Sequence, residues 1–456
     1  MANSVYAKTV LENGVRVVTE SLDGVRSLAI GVIVDCGSKD ESEGEAGLAH
    51  LCEHLVFQGT SGRDAMHIAQ QADSFGQVGG FTTRDYTCYY AVTLDDYQFH
   101  ALDLLGDVLL NSTFPEHLVA AEKRAVLSEM ERCWDMPERQ VHDLAKRRAW
   151  RDGSLGRPVI GDADAVSRHT REDAIYFLQR HYTPDRIIIA AAGHLDHDDF
   201  AAQTRDAFWR LLGQHSLTPG QVPVFHPGLT TEHLNSSQTY FCLVLPAPAY
   251  TAPERYALHV LNRILGGGIS SRLASELRDE AGLACDVHSE YHAYRDAGML
   301  SVEGSACAGQ LSETISAVLK TMSSLFRGER PVDIAELWRA KMHLRVQHVS
   351  SSEDTHTRMC RLGTQELYFG AHLDARQVLG HIEEVHGLAA NAIANGLYQP
   401  LSRAHLVAAG PNLNEPAVRD ELIRLMNQFA WEPASPSWNW PLPTVESEPG
   451  EQCYGS

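Results

Sequence analysis

At 456 residues the chain is longer than one hydrophobic core usually organises, which predicts two or three domains. Its 44% hydrophobic and 21% charged residues are those of an ordinary globular protein and exclude fibrous or wholly disordered architectures. Thirty-eight Lys and Arg against 59 Asp and Glu leave a formal charge of −21, which argues against nucleic acid and against an anionic membrane surface as partners.

In chain order, Val15–Glu20 and Leu28–Val34 are β-rich runs, and Gly47–Phe57 and Asp64–Phe75 read as helices. Tyr86–Leu94 is strand-like, Asp96–Leu110 and Pro115–Cys133 are helical, and Ile187–Gly193 reads as a buried strand. A turn-rich stretch from Ser216 to Gly228, with Pro219, Pro223 and Pro227, then reads as a linker. Beyond it come a strand at Thr239–Leu245, helices at Pro253–Leu265 and Ser270–Glu280, and a strand at Gly298–Gly304. Leu48–Leu55 and Leu258–Leu265 share an offset of 210 residues with Tyr89–Val92 and Met299–Val302, which suggests a duplicated domain. The expected division is an N-terminal domain over 1–215, a linker over 216–232, a C-terminal domain over 233–430 and a disordered Pro/Trp-rich tail over 431–456.

No run approaches the roughly 18 apolar residues of a membrane span. The amino terminus shows no export signal, and the nine cysteines lack CxxC spacing, so a cytoplasmic chain with reduced thiols is expected.

One stretch carries chemistry: Gly47-Leu-Ala-His50-Leu-Cys-Glu53-His54-Leu55. On a helix His50 and His54 lie one turn apart on the same face and can share one cation. Glu53 leans toward that face, where a carboxylate can take a proton from a metal-bound water. This His-x-x-Glu-His order is the inverse of the common zinc-protease signature. A third ligand is needed, and Pro115–Cys133 offers Glu122, Glu129 and Glu131. Seven residues bring Glu122 and Glu129 to one helix face and turn Glu131 away. Chance occurrence among 23 histidines and a solvated helix face are the competing readings, opposed by the apolar flanks Leu48, Leu51, Leu55 and Val56. Cys52 falls on the opposite side of the helix and reads as a small buried residue.

At these residues the chain resembles the pitrilysin/insulinase family of zinc metallopeptidases, particularly its two-domain bacterial members and the mitochondrial processing peptidase subunits. Gly14-Val-Arg-Val-Val18, Asp35-Cys-Gly-Ser-Lys-Asp-Glu41, Phe81-Thr-Thr-Arg-Asp-Tyr-Thr87 and Gly266-Gly-Gly-Ile-Ser-Ser-Arg-Leu273 match its landmarks. The resemblance implies an α+β fold of two homologous α/β-sandwich domains, each a mainly antiparallel sheet with helices packed on it, the first zinc-bearing and the second inactive. It implies one Zn²⁺ per chain held by His50, His54 and Glu129, with Glu53 and Glu122 as catalytic residues: Glu53 moves the proton and Glu122 orients a ligand. A peptide substrate adds as a strand near Gly79, Gly80 and Phe81, and Arg278 contacts it close to the scissile bond.

Two positions depart from the family pattern. Gly79-Gly80 stands where Asn-Ala is usual, and Cys285 stands where active members have a tyrosine seven residues after the arginine. A thiol donates a hydrogen bond weakly, and losing an oxyanion donor costs ~10²–10³ in rate. The expected partner is therefore a homologous subunit in a heterodimer, or a second copy in a homodimer, unless Tyr291 or Tyr294 substitutes. The rival function is a non-catalytic scaffold of the same fold, in which the zinc residues tend to be lost; a metal-storage role fits a single site poorly.

Overall fold

The computed structural model describes residues 4–151, 153–213, 223–401 and 403–428. Its first half holds β1 (Ser4–Val10), β2 (Arg16–Leu22), β3 (Ser27–Val34), β4 (Gly76–Thr82), β5 (Thr87–Leu94) and β6 (Ile187–Gly193). Around them lie α1 (Leu48–Leu55), α2 (Ala65–Phe75), α3 (Gln98–Leu110), α4 (Glu116–Trp134), α5 (Pro137–Ala149), α6 (Ala163–Arg168), α7 (Arg171–His181) and α8 (His197–Phe208). The second half holds β7 (Gly228–His233), β8 (Gln238–Ala247), β9 (Ala284–Ala293), β10 (Gly298–Cys307) and β11 (His405–Gly410). Its helices are α9 (Arg255–Leu265), α10 (Leu311–Phe326), α11 (Ile334–Ser351), α12 (Thr355–Phe369), α13 (Ala375–Glu384), α14 (Gly387–Gly396), α15 (Tyr398–Leu401) and α16 (Pro416–Gln428).

The two sheets repeat one plan. The first runs β1-β2-β6-β3-β5-β4 and the second β7-β11-β8-β10-β9. Matching β2 to β7, β6 to β11, β3 to β8, β5 to β10 and β4 to β9 reproduces every pairing sense: β2 is parallel to β6, β7 is parallel to β11, and the remaining ladders are antiparallel. The duplication read from the 210-residue offset is thus a duplication of topology.

Two expectations change. Residues 228–232, expected in the linker, already belong to strand β7 beside β11. The helix expected over Ser270–Glu280 is a π-helix over Ala274–Glu280. Residues 216–222 of the linker and the whole tail over 431–456 lie outside the described residues. Among the described residues, no helix is long and apolar enough to cross a membrane.

Each half lends a helix to the other. Strand β6 reads Ile-Ile-Ile-Ala-Ala-Ala-Gly and is buried throughout, because both faces of its sheet are covered. Ile187, Ile189 and Ala191 join the core under the first half's own helices, whereas Ile188, Ala190 and Ala192 pack with Met359 and Leu362 of α12. Reciprocally, Val141 and Ala145 of α5 pack with Val244 and Met299 of the second sheet. Gly363 permits the close approach of α12: a Cβ there would stand 1.9 Å from Ile33 Cδ1.

Candidate active site

Helix α1 is short, and its position is set by what grips its ends. Gly47 precedes it with φ of 83°, a left-handed conformation that glycine adopts without penalty. The Glu41 carboxylate, only 2% exposed, accepts hydrogen bonds from the Gly47 and Ala49 N–H groups at 3.0 and 2.8 Å, capping the helix start. Burial pushes that carboxyl up to about 8 against the pull of those two bonds. The rest of the Asp35–Glu41 segment is pinned through Asp35 to Arg295, Lys39 to Asp85 and Asp40 to Arg186.

With α1 fixed and α4 packed across it, three side chains converge. His50 Nε2 and His54 Nε2 stand 3.8 and 3.9 Å from the same Glu129 oxygen. A tetrahedral zinc with bonds of about 2.0–2.2 Å spaces its ligand atoms roughly 3.4 Å apart, so closing by a few tenths of an ångström seats such an ion. Glu122, seven residues before Glu129, accepts a hydrogen bond from His54 Nδ1 at 3.0 Å. That bond fixes the tautomer and leaves Nε2 with its lone pair toward Glu129. Burial, and then the neighbouring His54, pull His50 down to about 4, which keeps its imidazole neutral and able to ligate. His50 Nδ1 is buried without a hydrogen-bond partner among the described residues. The donor set of two imidazoles and one carboxylate fits a divalent zinc ion. Glu131 is exposed and Cys52 is buried on the far side of α1, both as expected.

Glu53 lies between this group and the edge of the sheet. Its Oε2 accepts a hydrogen bond from Thr82 Oγ1 at 2.9 Å. Burial raises its proton affinity, countered by the Thr82 bond and by His54, while Glu129 adds to the rise. Gly80 on β4 lies directly beneath it: a Cβ there would stand 2.9 Å from Glu53 Cγ. At this glycine, read as a departure from the Asn-Ala pattern, the Glu53 side chain lies close against the strand. Alternation turns Phe81 to the other face, where its ring meets Tyr86 and Tyr90, and Gly79 faces the Tyr90 hydroxyl. Strand β4 is the edge of its sheet, with one ladder side unpaired among the described residues.

The second half contributes less directly. Arg278 is on the π-helix and pairs with Asp279 at 2.7 Å and with the Ile269 carbonyl, outside the His/Glu group. The side chain of Cys285 lies outside the described residues. Tyr291 donates its hydroxyl to the Pro248 carbonyl at 2.6 Å, and the Tyr294 ring packs on Trp150, so both are committed to the interior rather than to replacing the family tyrosine. The sequence reading missed Thr82 and Glu41. The landmark segments contained both, but only strand pairing and loop closure bring them to Glu53 and to α1.

Comparison with known proteins gives the family. Residues 16–163 match the model of Insulinase (Peptidase family M16), and residues 168–344 match that of the Peptidase M16 inactive domain. The uncharacterized zinc protease YmxG of Bacillus subtilis is 33% identical over 88% of this chain and 98% of its own length. An uncharacterized zinc protease of Mycobacterium leprae is 36% identical over 92% of this chain and 95% of its own length. Among solved structures, a protease from Helicobacter pylori superposes with a TM-score of 0.81 at 21% identity, over 90% of this chain and all of that one. The chain belongs to the insulinase family of peptidases, family M16, and carries both of its domains.

Proposed function

We propose that the protein is a zinc-dependent endopeptidase acting on peptides or unfolded precursor segments. The observation that carries this reading is the convergence of His50, His54 and Glu129 within reach of Glu53, beside an unpaired strand edge. His50, His54 and Glu129 would hold the metal, and Glu122 positions His54 through its 3.0 Å bond. When bound, zinc polarises a carbonyl and acidifies water. Glu53, held by Thr82 and supported by Gly80, accepts the proton of the attacking water and returns it to the leaving amine. Substrate lies along β4 as an added strand, held by backbone hydrogen bonds with little sequence selectivity. The proposed setting is the cytoplasm, since the nine cysteines lack paired spacing.

The decisive variant is Glu53→Gln, which retains zinc and lowers peptide turnover by about 10²–10⁴-fold. Full turnover in that variant would remove Glu53 from proton transfer. Cleavage by the homogeneous chain measures the need for a partner: robust activity rules out an obligate heterodimer, and activity restored only by a homologous subunit establishes one. Zinc at the first site separates the enzyme from a scaffold: His50→Ala/His54→Ala lowers the metal content of the enzyme and leaves that of a scaffold unchanged.

A further inference from the structure

A second group of ligating side chains lies in the other sheet, on the face covered by α5. Cys242 on β8 and Glu303 on β10 are directly opposite in register, so their side chains share that face. His142 reaches down from α5, its Nδ1 2.5 Å from Glu303 Oε1. The His142 nitrogen, the Cys242 sulfur and the Glu303 oxygen all lie within 4.8 Å of one another. On neighbouring β9, His292 Nε2 stands 4.0 Å from the same Glu303 oxygen and 3.7 Å from Glu290 Oε2, giving a second triad that shares Glu303. The two imidazoles meet edge to face at 4.9 Å.

We propose that His142, Cys242 and Glu303, flanked by His292, form a second zinc site, distinct from the His50/His54/Glu129 group, at the seam between the two halves. Thiolate, imidazole and carboxylate are the ligand types zinc prefers, and a closed set of this kind suits a structural rather than a catalytic ion. The surroundings are Val141, Ala145, Val244 and Met299; in this apolar layer Glu303 accepts from His142 at 2.5 Å and from Ser301 Oγ at 2.7 Å, and an ion exchanges the His142 bond for coordination. Lys146, one turn from His142, and Arg84 also face the cluster, with Asp143 opposing them. Zinc entering there displaces the Cys242 thiol proton to solvent and shifts the His142 proton from Nδ1, where it bonds Glu303, to Nε2, so thiolate and carboxylate balance the dication while Asp143 faces the two cations. Because His142 belongs to a helix of the first half and the other ligands to the second sheet, the ion ties the halves together.

The test uses the full chain loaded with zinc and dialysed. His50→Ala/His54→Ala empties the first site and retains one equivalent of zinc, and adding Cys242→Ser removes it. Cobalt(II) substituted into His50→Ala/His54→Ala gives a sulfur-to-cobalt charge-transfer band, which a centre of two imidazoles and a carboxylate cannot produce and which Cys242→Ser abolishes. Should Cys242→Ser fail to fold, Glu303→Gln and His142→Gln keep the thiol and each weaken zinc binding in the same background by more than the roughly 10–100-fold cost of losing a supporting contact. Absence of zinc from His50→Ala/His54→Ala overturns the proposal. So does a cobalt spectrum without the sulfur band, or zinc affinity unchanged by both substitutions.

Discussion

His54 sits between two carboxylates with different tasks: Glu122 accepts from its Nδ1 and Glu129 faces its Nε2. Replacing Glu122 therefore acts on zinc only through the ring it holds. Glu122→Ala frees that ring and weakens zinc by about 10–100-fold, whereas Glu122→Gln keeps an acceptor oxygen and loses less. Competition with a chromophoric chelator measures both, and equal affinity in wild type and Glu122→Ala would remove the positioning role. The residues this prediction rests on were legible in the sequence because helical periodicity fixes which side chains share a face. Four residues separate His50 from His54 and seven separate Glu122 from Glu129, and no tertiary knowledge is needed to align them. Thr82 and Gly80 were opaque as partners of Glu53, because nothing local to residue 53 encodes which strand edge the carboxylate meets.

At the scale of elements, the strands with continuous apolar runs and the helices near the motif were readable, and α12 was not. Its inner face mixes Met359 and Leu362 with buried Arg358, Gln365 and Glu366, which breaks the apolar stripe that marks an amphipathic helix. Those polar residues have partners only in the folded chain: Glu366 meets Lys8 at 2.9 Å and Arg16 at 3.4 Å on β1 and β2. What seats α12 is the small surface at Gly363, against Ile33 and Ala190. Gly363→Val places a branched side chain into Ile33 and lowers stability by about 1–3 kcal/mol or more, read as a reduced urea midpoint. Pairing it with Ile33→Ala opens room and recovers part of the loss. A Gly363→Val protein with an unchanged midpoint would mean that α12 rests on the sheet less closely than 1.9 Å implies.

For the molecule as a whole, the repeat was visible as an offset between segments, but the exchange of helices between halves was not. Exchange is a property of two finished sheets, each offering a face that its own helices leave open. The seam it creates carries a buried ion pair, Arg358 with Glu20, 8% and 5% exposed. Arg358 also donates to the Ser352 carbonyl, so the guanidinium is held from two directions. Removing one partner strands the other charge in the interior. Arg358→Ala therefore costs about 3–5 kcal/mol, much more than an exposed pair of similar geometry would. Replacing both together, as Arg358→Met/Glu20→Leu, removes the stranded charge and restores most of that stability. Because the pair joins elements of both halves, the Arg358→Ala loss falls on their mutual attachment. Calorimetry then shows the first and second halves melting apart, where the wild type melts in one transition. A single transition in Arg358→Ala, shifted by no more than a surface substitution shifts it, would place the cohesion of the two halves in the apolar contacts of α5 and α12 alone.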